Sequence, residues 1–542
     1  MRLKTAFVEL LGVPKTARSQ NSRSSAARSN AWDRCAKVLR HLVPFTLLGC
    51  VYPSWSQVLL NQDENGVVTV PTQLTQSQFV RLVLQANKSV RSKRYEQEIA
   101  GALAIRADAA FQPQIEVSTF NGTSRVQNTP EESLLRQGLG LYERRGQDLT
   151  IGLSGLVRSG AKVELKGTIG RFLTNINETI RGSDTFDFKT FYGATVTQPL
   201  ARDAGVYVTE SRLRVARIEE QASIQVTLDT ESSTVTDAVL SYLDLALAQQ
   251  RLESWNNKIA IGERLISDTR ALVKVGRLSD VEVWEVENNL ARFRAGASEA
   301  EQLLVERSNK LRSMLMIDSA GGLSTLRATD PLPLLTYVQL DYDRDLQTAK
   351  ERRSDYRARV LMLERENVQL MFAQNQKLPR LDLIASYGFN GLAQILQQSL
   401  TLNRTSDYPS WSIGLRMSMP LGENRQADAD LRVAQLRRDD AGLGLNAIQS
   451  AISTDIANSH EIIRSSVDRY RLFAEIADRE SRMADALRRK IKAGRAEMRE
   501  LLISEERVIN ARLAMQEQAV INAKGQALLA LAQGRVLERF VE

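Results

Sequence analysis

Two tracts of this chain contain no proline, and this feature limits the possible folds more than any other. The tracts run over 200–330 and 421–542, and both are rich in alanine, leucine, glutamate, arginine and glutamine. These residues favour helix, whereas proline breaks a helix interior. One short glycine motif interrupts each tract near its middle. Each tract therefore predicts a very long helical hairpin.

The apolar residues within the tracts have the spacing of packed helices. Val235 and Val239 are four residues apart in the first tract, and Ile452 and Ile456 repeat that step in the second. A helix from Leu200 to Gly276 would be a rod of roughly 110 Å at 1.5 Å per residue. A coiled-coil spacer is the simpler alternative, but it predicts neither strands nor a duplication.

The sequence pattern occurs twice. Three anchors recur in one order and at similar distances. They are Gln112–Val117 and Leu378–Leu383, Tyr192–Leu200 and Ile413–Leu421, and Lys274–Arg277 and Lys492–Arg495. The same alignment places residues 335–377, which are predicted to be helical, over residues 75–110. We therefore predict two repeats, 57–330 and 331–542, that form one structural unit.

Alternating apolar and polar residues lie between the first two anchors of both repeats. They cover Leu381–Phe389 and Trp411–Met419 in the second repeat and Phe186–Val196 in the first. This period of two predicts strands whose two faces differ. Segments of about ten residues suit a transmembrane barrel, and a small soluble sheet is the alternative. Because four strands cannot close a barrel and an open edge cannot lie in lipid, the membrane interpretation requires an oligomer.

The first repeat carries an extra segment between its anchors. Apolar residues alternate over 149–153 and 161–165, on either side of Ser159 and Gly160. This pattern predicts either an additional hairpin or a long strand with an extended loop.

Most of the net charge lies in the first 56 residues. The whole chain has a formal charge of +8, of which residues 1–56 contribute +7. A basic region, an apolar run over 42–52 and the small residues Ser54 and Ser56 follow one another, which is the order of a removable export leader. Cys50 ends a Leu-Leu-Gly-Cys sequence similar to a bacterial lipoprotein box, so lipidation of Cys50 is the alternative to cleavage after Ser56.

Composition excludes several kinds of chemistry. The only cysteines, Cys35 and Cys50, lie in the leader, and the only histidines are His41 and His460. A catalytic thiol, a disulfide or a histidine-rich metal site is therefore not expected in the exported chain. Phosphate-loop, nucleophile-elbow and zinc-helix motifs are absent from the sequence. We expect no enzymatic activity, cofactor, metal or nucleic-acid partner, and no apolar run reaches the roughly 18 to 20 residues of a membrane-spanning helix.

The ordered anchors resemble those of the TolC-type outer-membrane efflux protein family, over about 74–540. Pro199 and Leu200, with Pro420 and Leu421, match the barrel-to-helix junctions of that family. Its hairpin tips correspond to Val275, Gly276 and Arg277 and to Ala493, Gly494 and Arg495. The resemblance implies a mainly α protein with duplicated antiparallel helical hairpins that form an α-barrel. It also implies a homotrimer in which four strands per protomer build a 12-stranded transmembrane β-barrel.

The resemblance also implies a function and partners. Members conduct substrates across the outer membrane and its lipid, with a long periplasmic extension, as the passive exit duct of efflux or type I secretion systems. Their partners are an inner-membrane transporter and a periplasmic adaptor that meets the tips. The alternative from another class is a non-conducting periplasmic coiled-coil scaffold.

Acidic residues just past the tips narrow the tunnel entrance in that family. The matching positions here are Glu282, Glu285 and Glu500, whereas Ile503 replaces a second acid in the second repeat. Three carboxylates around a threefold axis would repel one another and favour cations. Glu500 could equally be a solvated surface residue, and Glu282 is better explained as part of a capping box with Ser279.

Overall fold

The computed structural model describes residues 72–181, 185–276, 278–315, 325–492 and 495–541. The expected leader with Cys50 and the tip residues Arg277, Ala493 and Gly494 lie outside these residues. The chain is mostly helical with a β-sheet at one end, as the sequence predicts.

The helices range from single turns to rods of 64 and 68 residues. They are α1 (Gln76–Ala86), α2 (Lys88–Asp108), α3 (Pro130–Leu135), α4 (Asn175–Arg181), α5 (Val206–Thr209), α6 (Ser211–Lys274), α7 (Asp280–Met314), α8 (Tyr342–Arg352), α9 (Ser354–Gln376), α10 (Leu396–Thr405), α11 (Arg425–Lys492), α12 (Met498–Ala532) and α13 (Val536–Phe540).

The strands form two sheets. They are β1 (Gln73–Leu74), β2 (Gln114–Gln127), β3 (Leu141–Leu156), β4 (Lys162–Thr174), β5 (Asp187–Pro199), β6 (Arg327–Ala328), β7 (Arg380–Ala393) and β8 (Pro409–Ser418). Strands β1 and β6 pair in parallel, and the other six form an antiparallel sheet in the order β2-β3-β4-β5-β7-β8.

The expected four strands are a correction: this chain contributes six to its large sheet. The two additional strands, β3 and β4, are the hairpin that the extra segment predicts as one of its two alternatives. Leu153 of β3 lies opposite Leu165 of β4, so the alternating apolar residues of both strands share one face. The family count of four therefore does not apply to this chain.

Two helix boundaries also differ from expectation. The first rod begins at Ser211 and not at Leu200, because the chain bends at Asp203 and Gly205, which have φ of 65° and 91°. Helix α8 begins at Tyr342, where Asp341 accepts a hydrogen bond from the Arg344 N–H at 3.2 Å. The segment that precedes Asp341 contains two prolines and is not helical.

Helix α6 occupies the middle of the helical layer. It packs against α7 and α12 towards the tips and against α1, α2 and α9 towards the sheet, whereas α11 packs on α12, α9 and α8. Val235, Tyr242 and Leu245 of α6 are almost fully buried in the largest apolar cluster, together with Phe79 and Val520. The lateral order towards the tips is therefore α7-α6-α12-α11.

Candidate functional site: the two-faced sheet, the helix junctions and the hairpin tips

One face of the six-stranded sheet is apolar and uncovered. The registers place large apolar side chains from five of the strands on this face, and each is at least 38% exposed. They are Ile115, Val117, Leu149, Ile151, Leu153, Leu165, Tyr192, Val196, Tyr387, Trp411, Ile413, Leu415 and Met417. We call this surface the apolar face. An exposed apolar area that spans a whole sheet requires a cover of protein or lipid.

The opposite surface, the polar face, carries the alternate residues. Thr150 and Thr168 form a cross-strand hydroxyl contact of 3.3 Å, and Ser386 and Ser412 form one of 2.7 Å. Charged residues such as Glu116, Lys166 and Arg416 lie on the same face by their registers. A sheet with one apolar and one polar face is typical of a membrane barrel whose lumen is wet.

Helix α10 covers the apolar face at the end of the sheet that is remote from the long helices. Thr190 is buried there, and its hydroxyl receives a hydrogen bond from the Asn403 side-chain amide at 2.9 Å. The Tyr192 hydroxyl donates to the Asn403 carbonyl at 2.6 Å. Thr190 interrupts the alternating pattern in the sequence, and its polar partner on α10 is the physical reason.

The turn of the additional β3–β4 hairpin lies beside the long helices. Arg158 forms a 2.7 Å ion pair with Glu210, and the Gly205 N–H donates to the Ser159 carbonyl at 3.2 Å. Gly160 has φ of +92°, and a Cβ at this position would come within 2.7 Å of the Asp203 carbonyl oxygen. The turn is thus fixed against the junction between sheet and helices.

The two predicted junctions lie where strands lead into long helices, but their surroundings differ. Pro199 ends β5, and the Leu200 N–H donates to the Leu381 carbonyl at 2.7 Å. Pro420 and Leu421 lie between β8 and α11, and Leu421 is fully exposed. The first junction is inside the protomer, whereas the second is at its edge.

The first hairpin tip is a tight turn between α6 and α7. Gly276 has φ of +72°, which glycine adopts without steric cost, and its N–H donates to the Val273 carbonyl at 2.9 Å. Val275 is 68% exposed beside it. At the second tip, the Arg495 N–H donates to the Lys490 carbonyl at 2.9 Å, and Arg495 is exposed.

Ser279 caps α7, but the complete capping box is not formed. The Ser279 hydroxyl accepts from the Val281 N–H at 3.2 Å, and within the described residues Glu282 donates no reciprocal bond through its side chain. The predicted box is therefore wrong in this half. A partly exposed carboxylate at Glu282 is left in the first turn, where it favours the positive end of the helix dipole.

The three candidate acids have different neighbours. Glu285 lies 3.7 Å from Arg499, so an ion pair joins the first hairpin to the second. Glu500 follows Arg499 and is exposed, while Leu501 and Leu502 point into the apolar cluster. The sequence comparison missed Arg499, because the equivalent position in the first repeat is Val281 and only the fold brings Arg499 to Glu285.

A buried lysine lies behind the tips. Lys258 is 5% exposed, donates to the Asn510 side-chain oxygen at 2.8 Å and lies 4.0 Å from the centre of the Trp255 ring. Burial lowers the pKa of Lys258, and the nearby Glu506 carboxylate opposes that shift. These contacts join α6 to α12 and hold the two hairpins together.

Two further searches cover the described residues. No helix among them combines the length and apolarity needed to cross a membrane. The same residues contain no group of three or more histidine, cysteine, aspartate or glutamate side chains placed to hold a metal ion.

No family model matches the sequence, and no curated protein matches it. Solved structures do match, although all at low identity. The CmeC outer membrane channel of Campylobacter jejuni is 15% identical, with a TM-score of 0.58 over 85% of this chain and 86% of that chain. The outer-membrane channel OprN is 16% identical, with a TM-score of 0.59 over 86% and 90%. The open state of the MtrE outer membrane channel of Neisseria gonorrhoeae is 15% identical, with a TM-score of 0.56 over 86% and 90%.

The chain has the TolC-type outer-membrane channel fold. The resemblance seen in the sequence is thereby confirmed at the level of the fold. Within this TolC-type fold, the six-stranded sheet, the two junctions and the two tips are the parts from which a function can be argued.

Proposed function

We propose that three copies of this chain form an outer-membrane channel that serves as the passive exit duct of an efflux or type I secretion system. Substrates would pass from an inner-membrane transporter to the outside, with no enzymatic step and no cofactor. The observation that carries the proposal is the uncovered apolar face on a sheet whose other face is polar. Lipid is the cover that suits such a face, and a wet lumen suits the other.

The edges of the protomer support a closed ring. Within the described residues, β2 and β8 each pair on one side only. Beyond the sheet, α2 and α7 lie at the edge of β2, while α11 lies at the edge of β8. Because the two edges are different surfaces, copies would join head to tail, and such contacts close into rings.

Exposed apolar residues on the helices support the same assembly. Tyr95, Ile99 and Leu103 step by four along α2, and each is at least 40% exposed. Leu436 and Leu472 are 52% and 60% exposed on α11. These stripes would be buried between neighbouring copies, which explains their exposure on a single chain.

The tips are the proposed contact with a periplasmic adaptor. They comprise Val275, Gly276 and Arg277 in the first repeat and Ala493, Gly494 and Arg495 in the second. Exposed Val275 and Arg495 offer an apolar and a cationic contact. The inner-membrane transporter would reach the channel through the adaptor.

The acids near the tips are the proposed gate. A ring of three Glu500 carboxylates would attract cations at the entrance. Glu282 and Glu285 are secondary candidates, since Glu285 is already paired with Arg499. Opening would require the tips to move apart and would break such contacts.

The alternative is a non-conducting periplasmic scaffold, and membrane fractionation separates it from the channel. We expect the protein in the outer-membrane fraction, resistant to a urea wash and extracted by detergent as a trimer. A protein that washes off as a soluble rod would contradict the channel. Mass spectrometry of the extracted chain would also decide between cleavage after Ser56 and lipidation at Cys50.

A further inference from the structure

We infer that β8 of one copy pairs with β2 of the next, so that three copies close a barrel of 18 strands in which Glu116 and Arg416 form an ion pair between subunits. This inference rests on the proposed trimer. It concerns how the sheets join and how wide the barrel is.

The directions of the two edge strands permit this pairing. Strand β2 starts at the end of the sheet beside the long helices, and β8 finishes there. An even number of antiparallel strands therefore leaves two edges that run in opposite directions. Pairing them between copies continues the antiparallel order of the sheet and removes both open edges.

The register can be read from the ladder inside one copy. Successive pairs connect Gln114 with Ser154, Glu164, Thr195, Ser386 and finally Ser412. Ser412 is six residues from Ser418, the helix-side end of β8, whereas Gln114 is the helix-side end of β2. The strand ends thus drift by six residues across one copy, which is the kind of stagger that a closed barrel requires.

Aligning the helix-side ends of β8 and the next β2 uses this stagger. Ser418 then lies opposite Gln114 of the next copy. A drift of six residues over six strands gives a strand tilt of about 35°, from the usual rise per residue and strand spacing. Membrane barrels have tilts of about 35–45°.

The same alignment brings opposite charges together. Arg416 of β8 falls directly opposite Glu116 of the next β2. Both side chains are exposed and lie on the polar face, and neither makes an ion pair or hydrogen bond with any described residue. Asp382, the neighbour of Arg416 within the copy, is bound to Arg380 at 2.9 Å instead. The apolar face is continuous in this register, because Leu415 lies opposite Val117.

The inference changes the size of the pore through the membrane. Barrel diameter grows roughly in proportion to strand number, so 18 strands give a barrel about 1.5 times as wide as 12. At a spacing of about 4.8 Å and a tilt of about 35°, the backbone diameter is roughly 34 Å. Barrels of 16–18 strands leave an aqueous channel even when side chains line them.

Disulfide cross-linking of the full-length chain tests the pairing. The double variant Glu116→Cys with Arg416→Cys places two thiols on directly opposed residues, whose Cα separation suits a disulfide. We expect most of the oxidised protein to run as a covalent trimer without reductant and as a single chain with reductant. Each single variant is a control, as is Glu116→Cys with Ser412→Cys, which is four residues out of register. Cross-linking no stronger than in these controls would overturn the inference.

Charge exchange provides a second readout that needs no oxidation. Glu116→Arg and Arg416→Glu alone should each lower the detergent stability of the trimer, and the double exchange should restore most of it. A double variant no more stable than the single ones would contradict the ion pair. A conducting trimer without the cross-link would refute this strand pairing and leave the channel intact. Absence of both trimer and conductance would refute the proposed function itself.

Discussion

The two repeats place different chemistry at one equivalent position. In the first, Tyr242 of α6 packs on Phe79 of α1 with ring centres 6.3 Å apart, and both side chains are buried. In the second, His460 of α11 lies 2.7 Å from the Asp345 carboxylate of α8, and each side chain is about one-seventh exposed. Helices of equal length, 35 residues each, return from both tips, so the frames coincide while the contacts differ.

The difference follows from position in the protomer. Helix α6 has neighbours on both sides, so its side chains enter a dry apolar core, and burial raises the pKa of Tyr242 to about 12. Helix α11 lies at the edge, where water reaches a polar pair at low cost. A duplicated sequence therefore does not produce duplicated functions, and each residue must be interpreted by whether its helix is central or at an edge.

The largest expected effect is on the core position. Tyr242→Ala removes a buried ring and its hydroxyl contacts with the Leu74 carbonyl and Asp330, both at 3.0 Å. We expect a loss of about 3–5 kcal/mol in the free energy of unfolding. His460→Ala should cost only about 1–2 kcal/mol, since it removes one polar contact. Urea denaturation of both variants in detergent measures the comparison.

Tyr242→Phe is the matched control for this pair. It keeps the ring and removes only the hydroxyl, so its loss should fall well below that of Tyr242→Ala. Equal losses for Tyr242→Ala and His460→Ala would show that the core and edge positions are energetically alike.

A charge on the edge should break assembly without unfolding the protomer. Leu472 of α11 is 60% exposed, whereas the equivalent residue of α6, Ser254, is buried. We expect Leu472→Glu to shift the protein from trimer to single chains by at least tenfold, because a charge would be buried between copies. Multi-angle light scattering measures the mass, and circular dichroism should show unchanged helix content. Leu472→Ala should shift the equilibrium much less; an unaltered Leu472→Glu trimer would move the interface elsewhere.

The two tips should respond unequally to loss of an acid. Glu500→Ala should reduce cation selectivity and block by multivalent cations several-fold, because Glu500 is exposed and has no described ion pair. Glu285→Ala should change them less, because its charge is already offset by Arg499. Reversal-potential measurements in planar bilayers compare the variants. Equal behaviour of Glu500→Ala and the unmodified channel would remove Glu500 from the gate.

The smallest expected effect concerns a half-buried acid of α6. Burial raises the pKa of Asp229 above its usual 3.8, with Asp355 acting in the same direction. The folded state therefore binds the proton more tightly than the unfolded state does. The resulting penalty is present at neutral pH and disappears as the pH falls through the raised pKa towards 3.8.

Asp229→Asn removes this charge and should stabilise the protein at pH 7. The gain should not exceed about 1 kcal/mol, because solvent screens a half-exposed carboxylate. Melting curves between pH 7 and pH 3 should show the gain shrinking as the pH falls. A gain that is constant with pH would assign it to packing and not to charge.

Local patterns were sufficient to predict the long helices. Pro-free tracts and glycine turns led to hairpins whose tips appear where expected, and period-two residues led to β5, β7 and β8. The start of α6 was predicted too early because the bend at Asp203 and Gly205 depends on hydrogen bonds from elsewhere, such as that from the Asp203 N–H to the Asn375 side chain at 2.8 Å. Distant partners of this kind are not written in a local pattern.

The strand count could not be settled in the same way. Leu149, Ile151 and Leu153 alternate clearly, but β2 contains Asn121 and Gly122, which weaken its pattern. The resemblance supplied a count of four, and only the sheet register corrected it. Likewise, the Glu285–Arg499 contact joins residues more than two hundred positions apart, so no spacing rule could have found it.

Single-channel recording from the purified full-length trimer in planar lipid bilayers tests the central claim most directly. The account predicts discrete, cation-selective conductance steps whose selectivity falls in Glu500→Ala. A detergent-stable trimer that never raises the membrane conductance would contradict the channel and favour the scaffold.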